Sequence, residues 1–132
     1  MTIVLDASTL VAALIDTRAH GRWAEELISS ESLLAPHLLP VEAANILRRG
    51  VFAGNITEDV AALAHSDISS LRVELFAYEP FAERAWELRS NVTSYDAWYI
   101  ALAEETSVPL ATLDARLTRA VGPRCAFLTP PA

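Results

Sequence analysis

Four acids in this sequence stand where a folded chain would gather them: Asp6, Glu42, Asp96 and Asp114. Asp6 follows directly on the apolar run Ile3-Val4-Leu5, and Asp114 on residues 108–113, Val-Pro-Leu-Ala-Thr-Leu. Uninterrupted aliphatic runs of this kind read as strands covered on both faces, and in open parallel sheets the functional crevice lies beyond the carboxyl ends of such strands. Taken singly, each acid has a plainer reading. Asp6 and Asp114 could cap the helices that follow them, Asp96 completes a capping pattern begun by Thr93, and Glu42 sits early in a helix, where the dipole favours a negative charge. Burial is what those readings handle badly. The helical neighbours of Glu42 are Leu38, Leu39, Asn45 and Ile46, and those of Asp96 are Val92, Thr93, Tyr99 and Ile100, so both carboxylates fall on apolar faces. A charge on a core face is costly unless something replaces the lost water. An Arg could do so for one acid; a divalent cation does so for four that repel one another. A set of oxygen ligands without paired His or Cys points to Mg²⁺ or Mn²⁺ rather than Zn²⁺.

The elements that must position these acids alternate between strand and helix. After a first strand at residues 2–5, a short buried helix spans 7–15, a polar break 16–21 and a helix 22–30, with Trp23, Ala24, Leu27 and Ile28 on one face. A second strand at 32–35 ends at Pro36. The longest helix runs from 37 or 38 to 53, with Pro40 tolerated in its first turn. Thr57-Glu58-Asp59 opens another, carrying Val60, Leu63, Ala64, Ile68 and Leu71 inward. A strand at 73–78, a helix from Glu79-Pro80 through Arg89, an apolar helix from Thr93 to Glu105, a strand at 108–113, a helix at 116–121 and an edge strand at 126–129 complete the series. The expectation is a single three-layer α/β domain over residues 1–132, a mainly parallel central sheet flanked by helices.

Composition narrows the function. The net charge is −7 and all ten basic residues are Arg, so no mechanism that needs a Lys is available, including phosphate-loop and haloacid-dehalogenase-like chemistry. An acidic balance argues against avid non-specific nucleic-acid binding but not against a metal site. Single Cys125 cannot form an internal disulfide, no basic and apolar leader precedes the first strand, and no run approaches the roughly 20 residues that span a bilayer; a cytoplasmic protein is expected, with no membrane association. His20, His37 and His65 are isolated and read as surface or packing residues.

The segments Ile3-Val4-Leu5-Asp6-Ala7-Ser8, Leu39-Pro40-Val41-Glu42-Ala43-Ala44-Asn45-Ile46-Leu47, Ser94-Tyr95-Asp96-Ala97-Trp98-Tyr99-Ile100-Ala101-Leu102-Ala103 and Leu110-Ala111-Thr112-Leu113-Asp114-Ala115-Arg116-Leu117 resemble, in order and along the whole chain, the four acidic motifs of PIN-domain ribonucleases, in particular the VapC toxins of toxin–antitoxin modules. The resemblance implies a PIN-like fold whose acids bind Mg²⁺ or Mn²⁺ for cleavage of RNA phosphodiesters. Asp6, Glu42, Asp96 and Asp114 would then be the metal-site acids, with Ser8 and Thr112 orienting ligands or water. Leu117 stands where some relatives carry a further acid. Which acid is ligand and which is base is left open by the sequence.

The same resemblance implies a VapB-type antitoxin as cognate partner, a homodimer, and contact with operator DNA only through the antitoxin complex. Five large aromatics, Trp23, Phe52, Phe76, Trp86 and Trp98, exceed what so small a core holds, and some are expected to line a groove for a partner helix. For RNA, the cations beside the expected crevice are Arg18, Arg22, Arg48, Arg49, Arg116 and Arg119, with Arg116 and Arg119 the preferred pair. Structured cellular RNA, tRNA or rRNA, is the expected substrate. Two rival readings stay open: a DNA-directed nuclease of the same fold, and a protein-binding or DNA-autoregulation module without nuclease activity.

Overall fold

The computed structural model describes residues 1–132. Its frame is a five-stranded sheet made of β1 (Thr2–Leu5), β2 (Ser32–Pro36), β3 (Glu74–Phe76), β4 (Leu110–Ala111) and β5 (Phe127–Leu128), in the order β3-β2-β1-β4-β5 with every pairing parallel. Ile3, Val4 and Leu5 of the central strand are wholly buried, as an unbroken aliphatic run in a doubly covered strand requires. β1 meets β2 at Ile3↔Leu33 and β4 at Leu5↔Ala111, which brings the residues after Leu5 and Ala111 out side by side.

Helices cover the sheet. α1 (Ala7–Ile15), α2 (Ala19–Ser30), α3 (Leu39–Phe52) and α4 (Glu58–Ser70) pack against one another, whereas α6 (Ser94–Thr106) lies against β1, β2 and β4 with α5 (Ala82–Glu87) beside it. α6 is buried at Ala97, Tyr99, Ile100, Ala101, Leu102 and Ala103, so only its first turn and a few polar positions reach solvent. The last helix, α7 (Ala115–Thr118), is a single turn. No helix is long and apolar enough to cross a membrane.

Several boundaries differ from the sequence reading, each for a local reason. α2 starts at Ala19, not at 22, because Gly21 lies inside it: a Cβ there would fall 1.6 Å from the Asp16 carbonyl oxygen, so only glycine lets the helix pass this close to the end of α1. β4 has two residues instead of six, since Pro109 has no N–H to give and the chain turns into α7 directly after Thr112. β3 shortens to three residues because it pairs only with Leu34–Pro36 of β2, which ends at its proline. The helix expected from 79 to 89 divides into a 3₁₀ turn (Glu79–Phe81) and α5, with Leu88 and Arg89 closing the end through bonds to Ala85 and Trp86 three residues back. α7 spans Ala115–Thr118 rather than 116–121. α4 is rotated from its expected phase: Ala64 and Ile68 are buried, while Val60 and Leu63 are 41% and 70% exposed.

Of the five aromatics, Phe52 and Trp86 are exposed, whereas Trp23, Phe76 and Trp98 pack against the core. Each exposed ring is covered on one face by an Arg, Arg48 over Phe52 at 5.0 Å and Arg89 over Trp86 at 4.6 Å.

Candidate active site

The backbone alone goes far towards assembling the site. Asp6 is the N-cap of α1, its Oδ1 accepting the Thr9 N–H at 2.9 Å and the Ser8 hydroxyl at 2.7 Å. Asp114 caps α7 in the same manner, its Oδ1 accepting the N–H groups of Arg116 and Leu117 at 2.9 and 3.4 Å. Because β1 and β4 are hydrogen-bonded neighbours, these two caps emerge side by side. Two hydroxyls sew them together. Ser8 Oγ, besides donating to Asp6, accepts the Leu113 N–H at 3.3 Å, and Thr112 Oγ1 accepts the Asp114 N–H at 3.0 Å while its hydroxyl stands against the Asp6 carboxylate. Buried Thr9 adds a third stitch, donating to the Ala111 carbonyl at 3.1 Å.

The other two acids come from helix starts. Thr93 is the N-cap of α6, and its Oγ1 accepts the backbone N–H of Asp96 at 3.1 Å, which places Asp96 in the first turn. Glu42 lies in the first turn of α3, where Pro40 is accommodated, and its Oε1 accepts the Tyr99 hydroxyl at 2.7 Å. Asp96 and Asp114 line a cleft of about 250 Å³ together with Asn91, Val92, Thr93 and Arg116.

The electrostatics show that these carboxylates belong to one another. Burial pushes the Asp6 carboxyl above its ordinary value, opposed by Thr112, the Thr9 N–H and Ser8. Glu42 is raised first by burial and then by the charges of Asp96 and Asp6, with the Tyr99 hydroxyl and Arg49 acting against the rise. Asp96 is raised by burial and by Asp114 and Asp6, and lowered by Thr93 and Arg116. Tyr99 is driven well above an ordinary phenol by burial and by Glu42, so it stays a donor. Asp96 thus feels Asp6 and Asp114, and Glu42 feels Asp6 and Asp96: all four acids predicted from sequence share one electrostatic neighbourhood. They ring it rather than close it, since no three His, Cys, Asp or Glu side chains converge as a finished ligand cage. The donor set is nonetheless that of a hard divalent cation, which prefers carboxylate oxygens and retains waters between itself and some of its carboxylates. Carboxylates raised by burial and then by their neighbours' charges, as Glu42 and Asp96 are, are what such a cation relieves.

The arginines separate by position. Arg116 lines the cleft, its Nε 3.7 Å from Asp114 Oδ1. Arg119, one turn further on, is exposed and outside that lining. Arg18 and Arg49 line a second groove of about 520 Å³ between α1 and α3, which Ser8 also reaches. Arg22 donates to the Thr17 carbonyl at 3.1 Å, and Arg48 lies over Phe52. One participant escaped the sequence reading: Tyr99, which looked like one more apolar residue of α6 although it falls one helical turn after Asp96. Arg49, one of the six arginines expected beside the crevice, is the cation near Glu42.

The family model described as PIN domain matches residues 3–123. Ribonuclease VapC1 of Mycobacterium tuberculosis is 39% identical over 123 residues, covering 92% of each chain, and Ribonuclease VapC12 of the same organism is 37% identical over 120 residues, covering 91% of this chain and 92% of the other. Among solved structures, VapBC2 from Rickettsia felis bound to a promoter DNA fragment superposes with a TM-score of 0.69 at 14% identity over 99% of this chain and 100% of that one. Mycobacterium tuberculosis VapC20, a sarcin–ricin loop cleaving toxin, gives a TM-score of 0.68 at 18% identity over 89% and 93%. With an all-parallel sheet, four acids at its carboxyl edge and relatives of this identity over nearly the full length, the chain belongs to the PIN-domain family, among the VapC ribonucleases.

Proposed function

We propose that this chain is a metal-dependent endoribonuclease, the toxin of a VapBC-like toxin–antitoxin module, that cleaves phosphodiester bonds in structured cellular RNA, tRNA or rRNA. The observation that carries the reading is the shared neighbourhood of Asp6, Glu42, Asp96 and Asp114, where burial holds the Asp6 carboxyl above its ordinary value, and burial together with the charges of neighbouring acids does the same for Glu42 and Asp96. The names of the relatives, ribonucleases of the same length, support the activity. Asp6, Asp96, Asp114 and Glu42 would hold Mg²⁺ or Mn²⁺. When bound, such an ion supplies a water acidic enough to ionise near neutral pH and charge to stabilise the phosphorane-like transition state.

The chain's own residues then divide the work. Ser8, Thr9 and Thr112 fix the Asp6 carboxylate, so it is preorganised rather than mobile. Asp114 is fixed by the N–H groups at the start of α7. Asp96 stands between Asp6 and Asp114 in the electrostatic ring and faces the open cleft, and with Glu42 it is placed to accept a proton from the attacking water. Arg116, on the cleft wall, is placed to hold an RNA phosphate. A basic VapB-type antitoxin suits a partner of net charge −7, and homodimer formation and cytoplasmic location complete the proposal. Solved relatives include VapBC complexes bound to DNA, and operator contact would reach this chain only through such a complex.

The test is to express the chain and its Asp6→Asn variant and to follow growth and total RNA with Mg²⁺, Mn²⁺ or chelator. Discrete cleavage by the parent, lost in Asp6→Asn and with chelator, is expected. Equal cleavage by both, or none by the parent, sinks the nuclease reading and leaves a protein-binding or autoregulatory module; cleavage of DNA alone would make it a DNA nuclease of the same fold.

A further inference from the structure

We propose that Tyr99 is a positioning residue for Glu42, fixing which carboxylate oxygen that acid turns to the cleft. This inference rests on the nuclease reading. Asp6 and Asp114 each have one oxygen tied down by donors at the start of a helix they cap, Oδ1 in both cases. Glu42 is not a cap and has no such backbone donors: its own N–H is spent on the Leu38 carbonyl inside α3. Its one side-chain hydrogen bond comes from Tyr99, whose hydroxyl donates to Oε1 at 2.7 Å. The phenol therefore does for Glu42 what helix N–H groups do for the two aspartates, holding one oxygen and leaving the other for the shared neighbourhood.

The geometry suits the task. Tyr99 is only 2% exposed, so its ring is held by packing on α6, one turn after Asp96 on the same helix. The hydrogen bond spans 57 residues of sequence and ties the first turn of α3 to α6, joining the two helices that deliver Glu42 and Asp96. A glutamate has three rotatable side-chain bonds, and its partner has a rigid ring with two. A short bond from hydroxyl to carboxylate is among the stronger hydrogen bonds a protein makes. A tyrosine serving packing alone would satisfy its hydroxyl with water or a backbone carbonyl; this one meets an acid of the site.

The test uses Tyr99→Phe, Glu42→Ala and the double variant in the full chain. Removing the hydroxyl is expected to lower kcat for RNA cleavage, and the affinity for Mn²⁺ measured by calorimetry without RNA, by roughly 10-fold, the low end for partners that orient a metal ligand, with KM for RNA little changed. Glu42→Ala with Tyr99→Phe should be no slower than Glu42→Ala alone, because the phenol acts only through that acid. In parent protein labelled at tyrosine ¹³Cζ, the Tyr99 resonance, identified with Tyr78→Phe and Tyr95→Phe, should move on adding Mg²⁺ and shift again in Glu42→Ala. Parental kcat and parental Mn²⁺ affinity in Tyr99→Phe overturn the inference, as does a Tyr99 resonance that Mg²⁺ leaves in place. Absence of RNA cleavage by the parent overturns the nuclease reading instead, and the calorimetric and resonance results then still decide for or against Tyr99. Those resonances also decide it if Tyr99→Phe does not fold.

Discussion

The Ser8 hydroxyl donates to Asp6 Oδ1 at 2.7 Å, so that the residue two positions after the first acid of the site holds it in place. Ser8 Oγ also accepts the Leu113 N–H at 3.3 Å, which makes Ser8 a bridge from β1 to the loop that carries Asp114. Ser8→Ala removes a donor from a partly buried carboxylate and leaves a backbone N–H without its partner. Thermal unfolding should show a loss of about 1–2 kcal/mol, Leu113 amide exchange should quicken, and RNA cleavage should fall. An unchanged melting temperature together with unchanged Leu113 exchange would show that the bridge contributes nothing.

The raised carboxyls carry a stability cost that can be measured. Asp6, Glu42 and Asp96 bind their protons more tightly in the folded chain than in the unfolded one. Between the ordinary carboxylate values and the raised ones, the folded state therefore holds more protons than the unfolded state, and stability falls as pH rises through that window. Asp96→Asn removes one of the repelling charges, so at neutral pH without divalent ions it should melt higher than the parent while losing cleavage. Mg²⁺ should stabilise the parent, by about 2.7 kcal/mol at a hundredfold excess over its dissociation constant, and Asp96→Asn much less. A parent whose stability rises with pH across that window, or an Asp96→Asn that melts lower, would contradict the assignment.

How much of this was legible in the sequence depends on the range of the interaction concerned. The aliphatic run Ile3-Val4-Leu5 and the acid after it declare both a buried central strand and its exit, because one local pattern encodes both. The four acids are legible for a similar reason: each sits at the first turn of a helix or directly after a strand, where flanking residues announce the element. Gly21 was misread as part of a polar break, since what demands glycine there is the Asp16 carbonyl of a preceding helix, not anything in its own neighbourhood. Tyr99 was missed because its partner is 57 residues away. Leu63 misled in the opposite direction: an apolar residue at helical spacing looks inward, yet small Ala64 sets the face that α4 presents.

Away from the site, Arg84 clamps the carboxyl-terminal segment. Its Nε and Nη2 meet the two oxygens of Glu104 at 2.7 and 3.1 Å, Nη2 also donates to the Gly122 carbonyl at 2.9 Å, and Glu104 Oε2 accepts the Arg124 N–H at 2.7 Å. Both side chains are largely shielded from water, and Arg84 holds the Glu104 carboxyl below its ordinary value although burial opposes this. Arg84→Ala should cost about 2 kcal/mol by chemical denaturation, and Arg84→Lys should restore little, because an ammonium cannot reproduce the two-pronged contact. Cleavage per folded molecule should be unaffected; a selective loss of kcat would mean that this clamp reaches the site.

Arg116 and Arg119 are one turn apart at the carboxyl end of the site, yet only Arg116 lines the cleft with Asp96 and Asp114. Its guanidinium stands 3.7 Å from Asp114 and acts against the rise of the Asp96 carboxyl, so it is the arginine of the cleft wall placed to meet a phosphate. Being highly exposed, it contributes little to folding, and Arg116→Ala should melt like the parent. What it should change is RNA: KM rises several-fold, kcat changes less, and the slope of log affinity against log salt shrinks by about 1, the signature of one lost phosphate contact. Arg119→Ala should leave all three as they are, because its side chain lies outside the cleft wall. If the two variants weaken RNA binding equally, the phosphate path runs along the outer face of α7 rather than into the cleft, and both arginines belong to it.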